Sequence, residues 1–148
     1  MSIIENPLRA EKRRKLHQLR EKGINPYPYT FENKANISEV IAKHSPGMVA
    51  GDKKMDTTYR IAGRIMTLRN MGKASFFNLQ DQFGTVQVYL KLEELPEADR
   101  TAFDLIDLGD IVGLEGFVFK SMKGEFTIHA KSFQILTKTI EPLPEKFH

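Results

Sequence analysis

The sequence contains no cysteine, which excludes disulfide bonds and every thiolate metal site. That absence is compatible with a cytoplasmic protein, and a cytoplasmic location is expected. No run of about eighteen apolar residues is present, the length a helix needs to cross a bilayer. The opening Met1-Ser2-Ile3-Ile4-Glu5-Asn6 has no apolar stretch leading to a small-residue cleavage site, so neither a membrane span nor an export signal is expected. The four histidines, His17, His44, His129 and His148, include no two at metal-ligand spacing. No Ser/His/Asp set is readable from spacing, and Gly109-Asp110-Ile111-Val112-Gly113 lacks the Lys-Ser/Thr of a phosphate loop. Catalytic residues and metal sites are therefore not expected in this chain.

What is present is the composition of a folding chain. Hydrophobic residues make up 41% and charged residues 28% of 148, enough for one principal core of ordinary domain size. The net charge of +3 is unevenly placed: residues 1–22 carry +4 and residues 23–148 carry −1. A basic segment beside a nearly neutral domain suits contact with a polyanion at one place, and it equally suits the solvated face of a helix.

That basic segment reads as a helix over Pro7–Lys22. It has no glycine inside, Asn6 as N-cap, Pro7 in the first turn and Gly23 as the stop. Leu8, Leu16 and Leu19 fall near one stripe, while Lys12, Arg13, Lys15 and Arg20 spread over the rest of the surface. Asn25-Pro26-Tyr27-Pro28-Tyr29 must run extended. A second short helix is expected at Ile37–Lys43, ended by Ser45-Pro46-Gly47.

After Thr57 the pattern changes to short strands, expected at Tyr59–Leu68, Ser75–Asp81, Thr85–Leu90, Ile111–Lys120 and Glu125–Leu136. A helix at about Glu93–Asp107, burying Leu95, Phe103 and Ile106, separates the third from the fourth. Gln82-Phe83-Gly84 and Met122-Lys123-Gly124 supply turn glycines. A mainly β chain of three strands, a helix and two strands is the order of the OB-fold, a five-stranded Greek-key barrel; an unrelated small barrel is the alternative. The expected organisation is an N-terminal helical extension at 1–56, the barrel at 57–138 and the start of a linker at 139–148.

Strand alternation identifies the available face, because neighbouring side chains point to opposite sides of a sheet. Phe77 and Leu79 fall together in the second strand, whereas Phe76 falls with Asn78 and Gln80. In the third strand Val86, Val88 and Leu90 form the apolar set, and Gln87 and Tyr89 share the outward set. Phe76, Gln87 and Tyr89 are thus expected in one patch, a stacking platform for unpaired bases. The alternative is that the N-terminal helices bury Phe76. Arg69, Asn70 and Lys73, in the connection just before it, favour the first reading by placing positive charge and donors suited to phosphates and base edges beside the ring. Gln87 carries an amide able both to donate to and to accept from a base edge. Glu125, at the start of the last strand, is a candidate acceptor for a base amino or imino group.

Long stretches of the sequence also resemble a known family. Gly23-Ile24-Asn25-Pro26-Tyr27-Pro28-Tyr29, Ala62-Gly63-Arg64-Ile65-Met66, Met71-Gly72-Lys73-Ala74-Ser75-Phe76, Leu79-Gln80-Asp81 and Pro142-Leu143-Pro144-Glu145-Lys146-Phe147-His148, in this order, resemble the N-terminal anticodon-binding domain of the lysyl branch of class II aminoacyl-tRNA synthetases. The resemblance implies an OB-fold that reads the uracil-rich anticodon of tRNA(Lys), with Arg69, Phe76 and Gln87 at the positions that handle the central uracil. It implies further anticodon contacts for Glu125. Leu68 stands where some lysyl enzymes carry a second Arg, so that contact is not carried over. The resemblance also implies a homodimeric parent enzyme, a lysine–tRNA ligase. Its catalytic domain, with ATP and Mg²⁺, would follow this segment, so the present chain is expected to hold no cofactor and to be inactive alone. Two other readings stand beside this one: a general single-strand binder, and a domain that serves mainly in dimerisation.

Overall fold

The computed structural model describes residues 10–11, 14–15, 17–18, 21, 31–32 and 34–138. Its five strands are β1 (Lys53–Met71), β2 (Ala74–Gln80), β3 (Thr85–Lys91), β4 (Ile111–Lys120) and β5 (Phe126–Thr137), with helix α1 at Ile37–His44 and helix α2 at Glu97–Asp104. The strands close into a ring in the order β1-β2-β3-β5-β4. All pairings are antiparallel except β3 with β5, which is parallel and seals the barrel. This is the OB-fold that the element order predicts.

One strand serves two neighbours, and glycine makes that possible. The first part of β1 pairs with β4 and its second part with β2, so the strand must bend between them. At Gly63 a Cβ would lie 2.6 Å from the carbonyl oxygen of Gln80. On β4 a Cβ at Gly116 would lie 2.1 Å from the carbonyl oxygen of His129, next to a register shift in the β4–β5 pairing. Backbones this close admit no side chain, and these are the tight bends that barrel closure requires.

Alternation then sorts the side chains. Phe77, Leu79, Val86, Val88, Leu90, Val112, Leu114 and Ile128 are buried in the core. Helix α2 closes one opening: Phe103 packs edge-on to Phe133 at 5.2 Å, and the Asp99 carboxylate accepts from the Phe133 N–H at 2.9 Å. Asn36 caps α1 by accepting from the Ser38 and Glu39 N–H groups, and Ile37 and Val40 enter the core.

The expected helix at Glu93–Asp107 is shorter and divided. Leu92–Glu94 forms a 3₁₀ turn, Pro96 is the N-cap of α2, and the helix ends at Asp104. Proline cannot continue the 3₁₀ turn into a helix, because it has no N–H and disfavours the helical region for Leu95. Leu95, Phe103 and Ile106 are nevertheless buried as expected. β1 starts at Lys53, before the Tyr59 that alternation indicates, and β5 starts at Phe126, leaving Glu125 in the preceding turn. Gly124 has φ of 86°, as its turn demands. The N-terminal helix is seen at residues 10–11, 14–15, 17–18 and 21; Leu8, Leu16, Leu19, the prolines and tyrosines of 25–29, and the linker at 139–148 lie outside the described residues.

Candidate nucleic-acid interface

The strand registers set one continuous row of side chains that is exposed or half-buried from Arg69 to His129 and buried at its far end, Phe117. Arg69 on β1 opposes Phe76 on β2, Phe76 opposes Tyr89 on β3, Tyr89 opposes His129 on β5, and His129 opposes Phe117 on β4. Side chains at directly opposed positions share a face and touch. The rings accordingly follow one another at 5.2 Å for Phe76–Tyr89, 4.9 Å for Tyr89–His129 and 4.6 Å for His129–Phe117. The Arg69 guanidinium carbon stands 5.5 Å from the centre of the Phe76 ring, within cation–π range.

A second row runs beside it: Asn78 opposes Gln87, Gln87 opposes Thr127, and Thr127 opposes Phe119. The Gln87 amide nitrogen donates to Thr127 Oγ1 at 3.0 Å and to Glu125 Oε1 at 3.3 Å. Phe119 lies 6.2 Å from Tyr89, so the two rows form one amphipathic surface.

Most of the residues singled out from the sequence meet here. Phe76, Gln87 and Tyr89 are half-buried side by side, and Arg69, Asn70, Lys73 and Glu125 are exposed around them. Phe76 is neither free in solvent nor in the core: among the described residues its ring neighbours are Tyr89 and Arg69. Asn70 accepts from the Ser75 hydroxyl at 3.2 Å, which ties the turn between β1 and β2 together.

The basic helix is a different matter. Lys12 and Arg13 lie outside the described residues. Lys15 is described, and its ammonium sits 3.0 Å from the Asp107 carboxylate with only 14% of the side chain exposed. Lys15 is thus held by the barrel and is not part of the aromatic surface.

Alternation along single strands missed Phe117, Phe119 and His129. The signal was there, since Phe117 and Phe119 alternate with the core residue Val118, but placing the half-buried Phe119 and the buried Phe117 near Tyr89 and His129 requires the parallel β3–β5 pairing, which no local pattern announces. His129 bonds Glu94 at 2.7 Å, and Lys131 reaches the same carboxylate at 3.3 Å. Burial penalises the Glu94 carboxylate, but these two partners outweigh it and hold its pKa below the usual range.

Chemically, such a surface can offer the Phe76 and Tyr89 rings for stacking, the Arg69 and Lys73 cations for an anion, and the Gln87 amide and Glu125 carboxylate for hydrogen bonds. Comparison with known proteins identifies the family. The chain is 40% identical over 137 residues to a lysine–tRNA ligase of Bacillus cereus, 41% over 143 residues to one of Streptococcus suis and 42% over 141 residues to one of Thermosipho melanesiensis. These alignments cover 93%, 97% and 95% of this chain, yet only 28%, 29% and 28% of the respective relatives. The chain therefore spans less than a third of their length. Residues 59–136, more than half of the chain, match the tRNA anti-codon family profile, so the chain belongs to the OB-fold nucleic acid binding domain family.

Proposed function

We propose that this domain binds the anticodon loop of tRNA(Lys) and serves as the anticodon-reading part of a cytoplasmic, homodimeric lysine–tRNA ligase. Phe76 stacks on the central uracil, Gln87 meets its edge, and Arg69 and Lys73 take the adjoining phosphates. Glu125 and Asn70 border the neighbouring bases, and Tyr89 extends the stacking surface. The observation that carries this reading is the cross-strand row Arg69–Phe76–Tyr89, with Gln87 beside it, on the open side of the barrel. Lysine activation with ATP and Mg²⁺ is assigned to the length of the relatives that this chain does not span.

The test is titration of a labelled anticodon stem-loop against versions with substituted anticodon bases. Tight binding that weakens when the central uracil is replaced supports the proposal. Equal binding of every variant, and of single-stranded DNA, would instead mark a general single-strand binder, whose stacking tolerates any base.

A further inference from the structure

Gln87 stands in surroundings that admit one orientation of its amide. A glutamine can turn either end toward its neighbours, and only their chemistry decides which end donates. One neighbour, Glu125 Oε1, is a carboxylate oxygen and can only accept. The other, Thr127 Oγ1, has a single proton, and that proton goes to the Glu125 carbonyl oxygen at 3.1 Å, which is likewise an acceptor only. Thr127 therefore turns a lone pair toward Gln87. Both neighbours demand N–H, and reversing the amide would set its carbonyl oxygen against a carboxylate and a lone pair. The turn keeps Glu125 in place: its N–H donates to Ser121 Oγ at 3.0 Å, and its carbonyl accepts from the Ser121 N–H at 2.8 Å.

We infer that Thr127 and Glu125 are positioning residues that lock the Gln87 carbonyl outward, so that this position selects a base presenting an N–H, such as N3–H of uracil, over cytosine, whose N3 is an acceptor. The inference rests on the reading that the outer face binds RNA. Gln87 then offers an acceptor alone, narrower than the donor-and-acceptor amide of an unconstrained glutamine, and among the described residues its Oε1 has no hydrogen-bond partner. Thr127 is fully buried, at 0% exposure, so it cannot touch RNA itself. Any effect of Thr127 on base choice must pass through Gln87.

The experiment compares two anticodon stem-loops that differ only in a central uracil or cytosine, against wild type, Thr127→Val, Thr127→Ser, Gln87→Ala and the double variant Gln87→Ala/Thr127→Val. Thr127→Val is expected to lower the uracil-over-cytosine preference roughly three- to tenfold, the effect of one hydrogen bond. Thr127→Ser keeps the hydroxyl and should keep the preference. In the Gln87→Ala background Thr127→Val should change nothing more, the pattern of two residues acting as one unit. In the free protein, the Gln87 side-chain NH₂ protons should exchange with water faster in Thr127→Val than in wild type, as read by NMR. If Thr127→Val does not fold, Thr127→Ala removes the same hydroxyl without adding a methyl group to the buried site and should lower the same ratio. A wild-type preference that Thr127→Val leaves intact overturns this inference alone. A wild type that binds both loops equally overturns it together with the RNA-reading proposal.

Discussion

Two sets of cations in this domain meet opposite surroundings. Just past the end of β5, Lys138 has 0% of its side chain exposed, and its ammonium lies 2.5 Å from Asp110 and 3.1 Å from Asp107. Lys15 reaches Asp107 from the N-terminal helix, so one carboxylate joins two lysines far apart in sequence. On the outer face, Arg69 is exposed, stacks on Phe76 and has no carboxylate partner among the described residues. A cation neutralised inside the fold fixes chain segments to one another; a cation spread over an aromatic ring at the surface keeps its charge available to an anion. Charge counted along the sequence cannot separate the two, because the difference lies in which carboxylates the fold brings close.

The most damaging way to break this contrast is on the buried side. Lys138→Met takes the Lys138 ammonium away from the fully buried Asp110, which keeps other contacts such as the Asp107 N–H at 2.8 Å. Breaking such a pair is expected to cost on the order of 3–5 kcal/mol of stability, measured by thermal or urea unfolding, while the folded fraction binds RNA as before. Phe76→Ala should show the reverse profile. Its binding loss is about 1–3 kcal/mol for one base stack, and its stability loss is nearer 1 kcal/mol, for the half-buried contact with Tyr89. If Phe76→Ala instead unfolded as readily as Lys138→Met and left RNA binding intact, the ring would belong with the fold and not with the surface.

Local chemistry makes much of the core and of the outer face of β2 and β3 readable in the sequence, though not the contrast between the cations. β2 and β3 alternate strictly, so Phe77 and Val88 had to be core and Phe76 and Gln87 had to share the other face, as they do. The start of β1 is not readable because Lys53, Lys54, Met55 and Asp56 are all exposed, and a register shift separates Lys54 from Thr58 in the pairing with β4. Residues that bury nothing leave no alternation to read. The aromatic row beyond Tyr89 and the Lys138–Asp110–Asp107 cluster were not readable for a different reason. Both depend on contacts between segments far apart in the chain, which no local period encodes.

Gln87→Ala probes the surface with a smaller expected effect. Removing the amide should lower the preference for a central uracil over cytosine by about tenfold, with little change in melting temperature, since the side chain is only half-buried. An unchanged ratio of the two dissociation constants would take Gln87 out of base reading.

The finest division runs within the basic helix, between Lys15 on one hand and Lys12 and Arg13 on the other. Charge alone treats the three as equal candidates for phosphate contacts that raise affinity without choosing bases. The Asp107 partner sets Lys15 apart: an ammonium held by a carboxylate at 3.0 Å with 14% of its side chain exposed offers little charge to a phosphate. Neutralising Lys12 and Arg13 together should lower affinity for all anticodon variants by a similar factor and reduce the salt dependence. At roughly 0.7 in slope per single-strand phosphate contact, losing two contacts changes log Kd against log salt by about 1.4. Lys15→Gln should leave that slope within about 0.3 of wild type and appear instead as a stability loss of about 1 kcal/mol, because a partly buried pair anchoring the helix is lost. A slope that falls as much for Lys15→Gln as for either neighbour would mean that Lys15 leaves Asp107 when RNA arrives. The contrast between structural and available cations would then depend on the ligand and would not be fixed by the fold.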